Sequence, residues 1–280
     1  MHLHHLTWVA IVVLIYFVLI YFLYFGRKRD GVIARAVRTM KAINAVMAAY
    51  REGDYETGLQ KAEALKNHPD NKAEYCFFRG TMLHHLGRLD EAEASLREGL
   101  PLEEDQRQRA LVYNTIASVL MDQGRYPEAI AFFENAGRAW PDRGSNNRGI
   151  AEVWLRQGRE FPEALQHARQ AVEIDRVASG MKKEALDTRL GEDLATLAWA
   201  VAANSAVGAN SGAATEVESL LAESFQLCGT KTKPILAQIH YQAGKAYEAQ
   251  KMRERAREHF RQAAEVDPKG IYGRLAKAAG

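Results

Sequence analysis

The hydrophobic residues after position 31 recur mainly at spacings of three and four, and no stretch alternates between apolar and polar residues for long. This is the period of amphipathic helices, so the pattern predicts an all-α protein. The clearest unit has a helix over 111–122, a turn at Gly124 and a second helix that begins at Pro127 and stops before Pro141. Glycine permits the positive φ that ends a helix, and proline is tolerated in a first helical turn.

A short motif repeats within this helical pattern. Residues 87–92 have the sequence Gly-Arg-Leu-Asp-Glu-Ala, residues 124–129 have Gly-Arg-Tyr-Pro-Glu-Ala, and residues 158–164 carry a copy one residue longer. A looser copy occupies 53–58, so the glycines follow one another at intervals of 34, 37 and 34 residues. Such a period is typical of an array of small units, each of which completes its hydrophobic core by stacking on its neighbours.

The repeated unit resembles the tetratricopeptide repeat (TPR), a helix–turn–helix of about 34 residues. In this family small residues occupy the sites where two helices cross, because a side chain no larger than a methyl group lets the backbones approach. The resemblance implies a right-handed solenoid of helical hairpins over about 230 of the 280 residues. The residues that match the packing sites are Gly80, Ala92, Ala117, Ala129, Ala136, Ala164, Ala171, Gly244, Ala256 and Ala263.

The resemblance also implies a partner-binding surface on the concave face, which first helices build in this family. Their mixture of aromatic, amide and charged groups suits a peptide groove, although some could line an ordinary solvated concavity. The residues assigned to this face are Tyr50, Arg51, Phe77, Thr81, His84, Asn114, Ser118, Met121, Arg148, Glu152, Tyr241 and Lys245. Some TPR proteins hold a chaperone's C-terminal carboxylate with a Lys/Asn clamp. This chain lacks that clamp; the corresponding sites hold Ile43, Met47, Phe77, Thr81, Asn114 and Ser118.

Residues 6–25 are uncharged and almost wholly apolar. At about 1.5 Å per residue they would extend roughly 30 Å, the thickness of a bilayer's hydrocarbon core, which predicts one transmembrane helix. The basic flank Arg27, Lys28 and Arg29 favours the cytoplasmic side, so we expect a single-pass membrane protein with cytoplasmic repeats. A cleaved signal peptide is the rival interpretation, but no Lys or Arg precedes the stretch and no small-residue cleavage site follows it.

These features divide the chain into six parts. They are a short extracytoplasmic tail at 1–5, the transmembrane helix at 6–25, a basic juxtamembrane segment at 26–38, four TPR-like repeats at 39–178, a divergent repeat at 179–234 with a flexible loop at 204–215, and a final repeat with a capping helix at 235–280.

Motifs for chemistry are scarce. The net charge of +2 lacks the basic excess of a nucleic-acid-binding domain. No H-E-x-x-H, G-x-S-x-G, Walker or G-x-G-x-x-G motif occurs, and the S-x-x-K match at 179–182 lacks its companion motifs. Cys76 and Cys228 fit neither a metal site nor a disulfide framework. We therefore expect no catalytic residue, metal, cofactor or nucleic-acid partner.

The sequence thus predicts a membrane-anchored scaffold or adaptor that binds protein or peptide partners and tethers them at the membrane. The arrangement is similar to that of the bacterial lipopolysaccharide assembly protein B family, which suggests envelope or complex assembly. That family's C-terminal cysteine ribbon is absent, so its specific activity is not carried over. An exported assembly factor and an enzyme with an unrecognised site are the alternatives, and no feature indicates the oligomeric state.

Overall fold

The computed structural model describes residues 33–66, 71–208, 212–228 and 232–280. All regular structure in these ranges is helical. The chain forms two compact units, 1–44 and 45–280. The described part of the first unit, residues 33–44, is helical, and the second unit begins with a helical segment over residues 45–51, which we call α1.

Consecutive helices of the second unit pack in pairs, and each pair contacts the next one. This stacking confirms the predicted all-helical, TPR-like solenoid. A short 3₁₀ turn at Leu100–Leu102 follows the fourth helix. The helices after α1 are α2 Tyr55–Lys66, α3 Lys72–His85, α4 Leu89–Gly99, α5 Gln106–Asp122, α6 Tyr126–Ala139, α7 Ser145–Gln157, α8 Phe161–Val177, α9 Lys183–Val207, α10 Ala213–Cys228, α11 Lys233–Ala249, α12 Arg253–Val266 and α13 Ile271–Ala279.

The predicted membrane segment lies outside the described residues, as do the tail at 1–5 and the basic residues Arg27, Lys28 and Arg29. Among the helices that the structure does describe, none has both the length and the apolar character that a bilayer crossing requires.

The ten small packing residues are all buried. The distances at two of them, Gly80 and Gly244, show why only a small residue fits. A Cβ atom on Gly80 would lie 2.5 Å from Leu96 Cγ, and one on Gly244 would lie 2.5 Å from Phe260 Cε1. Real Cβ contacts are not this short, so a larger residue would overpack the crossing of the two helices.

The repeated motif builds the turn and the start of the second helix. Gly124 adopts φ +75°, and the amide of Arg125 donates to Leu120 O at 2.8 Å, which closes the end of α5. Arg125 Nη2 then pairs with Glu128 Oε2 at 2.6 Å across the first turn of α6. Arg88 and Glu91 make the same contact, also at 2.6 Å, in the preceding repeat. The motif is therefore local structure rather than a binding site.

The divergent repeat differs from its prediction. The loop expected at 204–215 is shorter, because α9 continues to Val207 and α10 already begins at Ala213. Ser205 Oγ donates to Ala202 O at 2.8 Å, so this polar side chain is accommodated within the helix. The alanines on both sides have high helix propensity, and that propensity outweighs the small, polar composition of the segment.

The second unit closes on itself. Tyr55 in α2 donates its hydroxyl hydrogen to Asp267, the residue after α12. Lys233 Nζ pairs with Glu52 Oε2 at 3.1 Å, and Lys269 Nζ approaches Glu56 Oε1 at 3.3 Å. The first and last repeats are thus joined by a set of polar contacts, which we call the seam. An ordinary open solenoid would leave both ends free.

The helix expected to cap the array is α13, and it does pack on α11 and α12. It also reaches across the interior of the unit. Tyr272 OH lies 3.2 Å from Glu152 Oε2 in α7, and Arg274 Nη1 donates to His85 O, the last residue of α3, at 2.5 Å. The cap is therefore also a wall of the concave face.

Candidate partner-binding cavity

The curled second unit encloses a cavity of about 430 Å³. The first helices of the early repeats form much of its wall, and α13 contributes Ile271 and Tyr272 on the other side. Nine of the twelve concave-face residues chosen from sequence line it. These nine are Tyr50, Phe77, Thr81, His84, Asn114, Ser118, Met121, Arg148 and Glu152.

The other three residues lie elsewhere. Tyr241 and Lys245 line a second cavity of about 530 Å³, which shares Met121, Asp122, Arg156 and Ile271 with the first. Arg51 is exposed and lines neither of these two cavities, so its assignment to the concave face stays a prediction. It directly follows Tyr50 on α1, and neighbouring helical side chains point about 100° apart.

Helical spacing brings the wall residues together. Phe77 and Thr81 are four residues apart on α3, as are Asn114 and Ser118 on α5, so each pair shares one face. Thr81 Oγ1 donates to Phe77 O at 2.9 Å and Ser118 Oγ donates to Asn114 O at 3.0 Å. These hydroxyls are satisfied within their own helices, and their oxygens remain able to accept.

A chain of charged and polar groups crosses the cavity. His84 Nε2 lies 2.7 Å from Asp122 Oδ2, and Arg156 Nη1 donates to Asp122 Oδ1 at 2.5 Å. Arg156 Nη2 also donates to Glu152 Oε1 at 2.6 Å, and Glu152 in turn accepts from Tyr272. Three repeats and α13 are thereby linked through one network.

The network shifts the proton affinities of its members. Burial alone would raise the pKa of Asp122, but the Arg156 guanidinium and the hydrogen bond to His84 hold it well below its usual range. Burial and the nearby Glu152 raise the pKa of the Tyr272 phenol well above its usual range. At neutral pH Asp122 is therefore a carboxylate and Tyr272 a neutral donor, which matches the observed hydrogen bonds.

A second cluster lies where α7 faces α9. Arg148 Nη1 donates to Asp193 Oδ1 at 3.1 Å and lies 3.2 Å from Glu192 Oε2. Asp193 is fully buried, and burial raises its pKa well above the usual range. Nearby, Arg189 Nε donates to Asp175 Oδ2 at 2.9 Å. Arg148 is thus committed to neighbouring carboxyl groups rather than free for a partner.

Sequence reasoning missed several residues of this site. Asp122 and Arg156 follow Ser118 and Glu152 by four residues, so the helical period could have added them to the concave face. Tyr272, Glu192 and the loop residue Arg143 also line the cavity. No sequence pattern indicates these three, because the curvature of the unit brings them there.

Two family models of the tetratricopeptide repeat match the chain, one at 43–106 and 114–179 and the other at 237–269. Together they cover more than half of its length. The chain therefore belongs to the tetratricopeptide repeat family, whose fold is generally a non-catalytic scaffold for protein interactions. The matched segments leave out the divergent repeat.

Solved structures with a similar fold include YrrB, a TPR protein with an unusual peptide-binding site, at 22% identity and TM-score 0.36 over 77% of this chain and 96% of YrrB. TTC0263, a thermophilic TPR protein of Thermus thermophilus, has 17% identity and TM-score 0.48 over 74% and 97%. Yeast Tom70 has 19% identity and TM-score 0.49 over 79% and 42%. No curated protein matches the chain.

Proposed function

We propose that this protein is a membrane-anchored TPR scaffold that binds a segment of a protein partner in the cavity of its second unit. The supporting observation is the wall of that cavity, where α3, α5 and α7 present aromatic, amide, hydroxyl and charged side chains to one volume of about 430 Å³. This volume is in the range of ligand sites and admits a few side chains of a bound polypeptide. The lining is mixed enough to discriminate between partners.

The membrane part of the proposal is supported by the sequence of residues 6–25 and the basic residues 27–29 after them. A tether confines the bound partner to the membrane surface and raises its effective concentration there. Such a scaffold would serve the assembly of an envelope or of another membrane-associated complex.

Photocrosslinking in the full-length protein tests the binding site. A photoreactive amino acid replaces Ser118, which lines the cavity, or Glu134, which is exposed on α6. We expect a discrete protein adduct from position 118 and not from position 134. Identical adducts from positions 118 and 134 would exclude the cavity as the partner site. The absence of any adduct both from position 118 and from a second cavity position, Thr81, would exclude it as well.

The anchor and its orientation need a separate measurement. We expect the protein to stay with membranes after alkaline extraction, and proteases to cut the repeats in sealed vesicles only when the cytoplasmic face is outside. Digestion solely from the extracytoplasmic side would favour the exported assembly factor, and release by alkali would refute the anchor.

A further inference from the structure

Arg143 lies in the loop between α6 and α7 and lines the cavity. Its Nε donates to Ser145 Oγ at 2.7 Å, and its guanidinium stands over the Trp140 ring, with Cζ 5.1 Å from the ring centroid. The hydrogen bond and the stacking fix the plane of the guanidinium. Among the described residues, no hydrogen-bond acceptor engages its two Nη atoms and no carboxylate pairs with it. Most of its donors are therefore unused.

The carboxyl groups nearest to Arg143 are already engaged by other arginines. Arg189 pairs with Asp175, and Arg148 pairs with both Glu192 and Asp193. No carboxylate among the described residues is therefore left to pair with Arg143. Burial and the neighbouring arginines lower the pKa of Arg143 only to about 10, so it stays charged at neutral pH. A half-buried cation of this kind is costly unless an anion joins it.

We propose that Arg143 is an oxyanion-binding subsite of the partner cavity and that it holds a carboxylate of the bound segment. This inference rests on the proposed function and adds the chemistry of the ligand. A guanidinium fork matches the two coplanar oxygens of a carboxylate and binds them in bidentate fashion. Ser145 acts as a positioning residue, because it engages Nε and leaves the Nη atoms to the ligand.

The surroundings favour a monoanion over a phosphate dianion. Arg143 supplies one unpaired positive charge, and the carboxylates of Asp175 and Glu192 would repel a second negative charge on the ligand. The carboxylate can belong to the C-terminus of the partner or to an Asp or Glu side chain. Arg143 lies outside the first-helix positions at which other TPR proteins clamp a carboxylate, so the absence of that clamp from α1, α3 and α5 does not bear on it.

The probe for the site is acetate, with acetamide as its neutral counterpart. The full-length protein in detergent micelles is titrated at constant ionic strength while the Arg Nε–Hε and Trp indole NMR signals are recorded. We expect acetate, but not acetamide, to shift the Arg143 and Trp140 signals saturably. Arg143→Gln should weaken acetate binding by about tenfold or more, since hydrogen bonds to charged groups are strong. Arg143→Lys, which keeps the charge but loses the fork, should fall between Arg143→Gln and the wild type.

Arg107→Gln is the matched control. Arg107 also stands over the Trp140 ring, with Cζ 5.3 Å from its centroid, but it is exposed and does not line the cavity. This variant should bind acetate like the wild type. Circular dichroism confirms that each variant is folded. A saturable shift that survives in folded Arg143→Gln, or no saturable shift in the wild type, would overturn the proposal, as would phosphate binding more tightly than acetate.

Two further probes separate the sources of the carboxylate. N-acetylglycine represents a C-terminus, and N-acetylglutamic acid α-amide represents an acidic side chain; the tighter ligand identifies the source. The inference and the proposed function can fail separately. If the partner crosslinks at position 118 equally well in the wild type and in Arg143→Gln, and acetate does not bind, the subsite is refuted and the proposed function stands. If acetate binds but no partner is crosslinked, the scaffold function is refuted and Arg143 remains an anion-binding site.

Discussion

Single residues set how closely the helices of this protein approach each other. A Cβ on Gly149 in α7 would lie 2.2 Å from Phe133 Cε1 in α6. Gly137, also within α6, has room, because the nearest atom to its Cβ would be Asn146 Nδ2 at 3.7 Å. Close packing therefore requires glycine at position 149 but not at position 137, and a sequence pattern alone does not distinguish the two.

We expect Gly149→Ala to lower the free energy of unfolding by about 1–3 kcal/mol, because the Phe133 ring cannot move without repacking its neighbours. Gly137→Ala is the control. It should be neutral or stabilise by up to about 1 kcal/mol, since alanine is the better helix former. Urea denaturation of both variants measures the difference. Equal effects at the two positions would show that the α6–α7 contact is looser than the structure indicates.

The helical period decides which residues of the cavity wall could be predicted from the sequence. Nine concave-face residues line the cavity because the helical period places residues four apart on one face. Arg143 could not be found this way, since it lies in a loop and only the fold brings it beside Arg148 and Arg189.

At the scale of the elements, the turn between the two helices of a repeat requires a left-handed residue. Glycine supplies it in four repeats, whereas Lys251 adopts φ +64° in the last one. The backbone of that turn is closed in the usual manner, with Met252 N donating to Tyr247 O at 2.9 Å. A non-glycine residue in this conformation costs about 1–2 kcal/mol.

Lys251→Gly should therefore raise the free energy of unfolding by about 1 kcal/mol. The converse change, Gly124→Ala, should lower it by a similar amount, because Gly124 has φ +75° although no atom lies within 4 Å of its Cβ position. Thermal unfolding followed by circular dichroism tests both variants. Destabilisation by Lys251→Gly would mean that contacts of the lysine side chain outweigh the backbone strain.

Element boundaries were predicted less well than the elements themselves. The helix expected over 111–122 begins at Gln106, where the Asp105 side chain accepts from Gln108 N at 2.9 Å and caps the helix. Both ends of the loop expected at 204–215 are helical, because α9 ends at Val207 and α10 begins at Ala213. Helix ends depend on caps and on neighbouring helices, whereas the period of a repeat depends only on the sequence.

At the scale of the whole molecule, the second unit differs from an open repeat array because its first and last repeats touch. Terminal repeats of an open array have one neighbour each and fray. Here the seam supplies a second neighbour. The contacts of the seam are polar and involve few residues, whereas consecutive repeats share buried apolar side chains.

Tyr55→Phe tests whether the seam stabilises both ends. Loss of the hydroxyl leaves the buried Asp267 with one donor fewer, and we expect amide exchange in α2 and α13 to accelerate together by about tenfold. Tyr75→Phe is the matched control. Its hydroxyl bonds to the exposed Glu63 at 3.1 Å within neighbouring helices and should leave α13 unchanged. Faster exchange in α2 alone would indicate that the two ends are not coupled.

The sequence by itself determined the helical class, the repeat period and nine of the side chains that line the cavity. Those features follow from the spacing of apolar residues and of turn glycines, which are local properties of the chain. Only the tertiary structure decided that the unit closes through Tyr55 and Asp267 and that α13 forms part of the cavity wall. It also decided that no carboxylate among the described residues pairs with Arg143. These features depend on the curvature accumulated over successive helical pairs, and small angles at each crossing add up to it without leaving a pattern in the sequence.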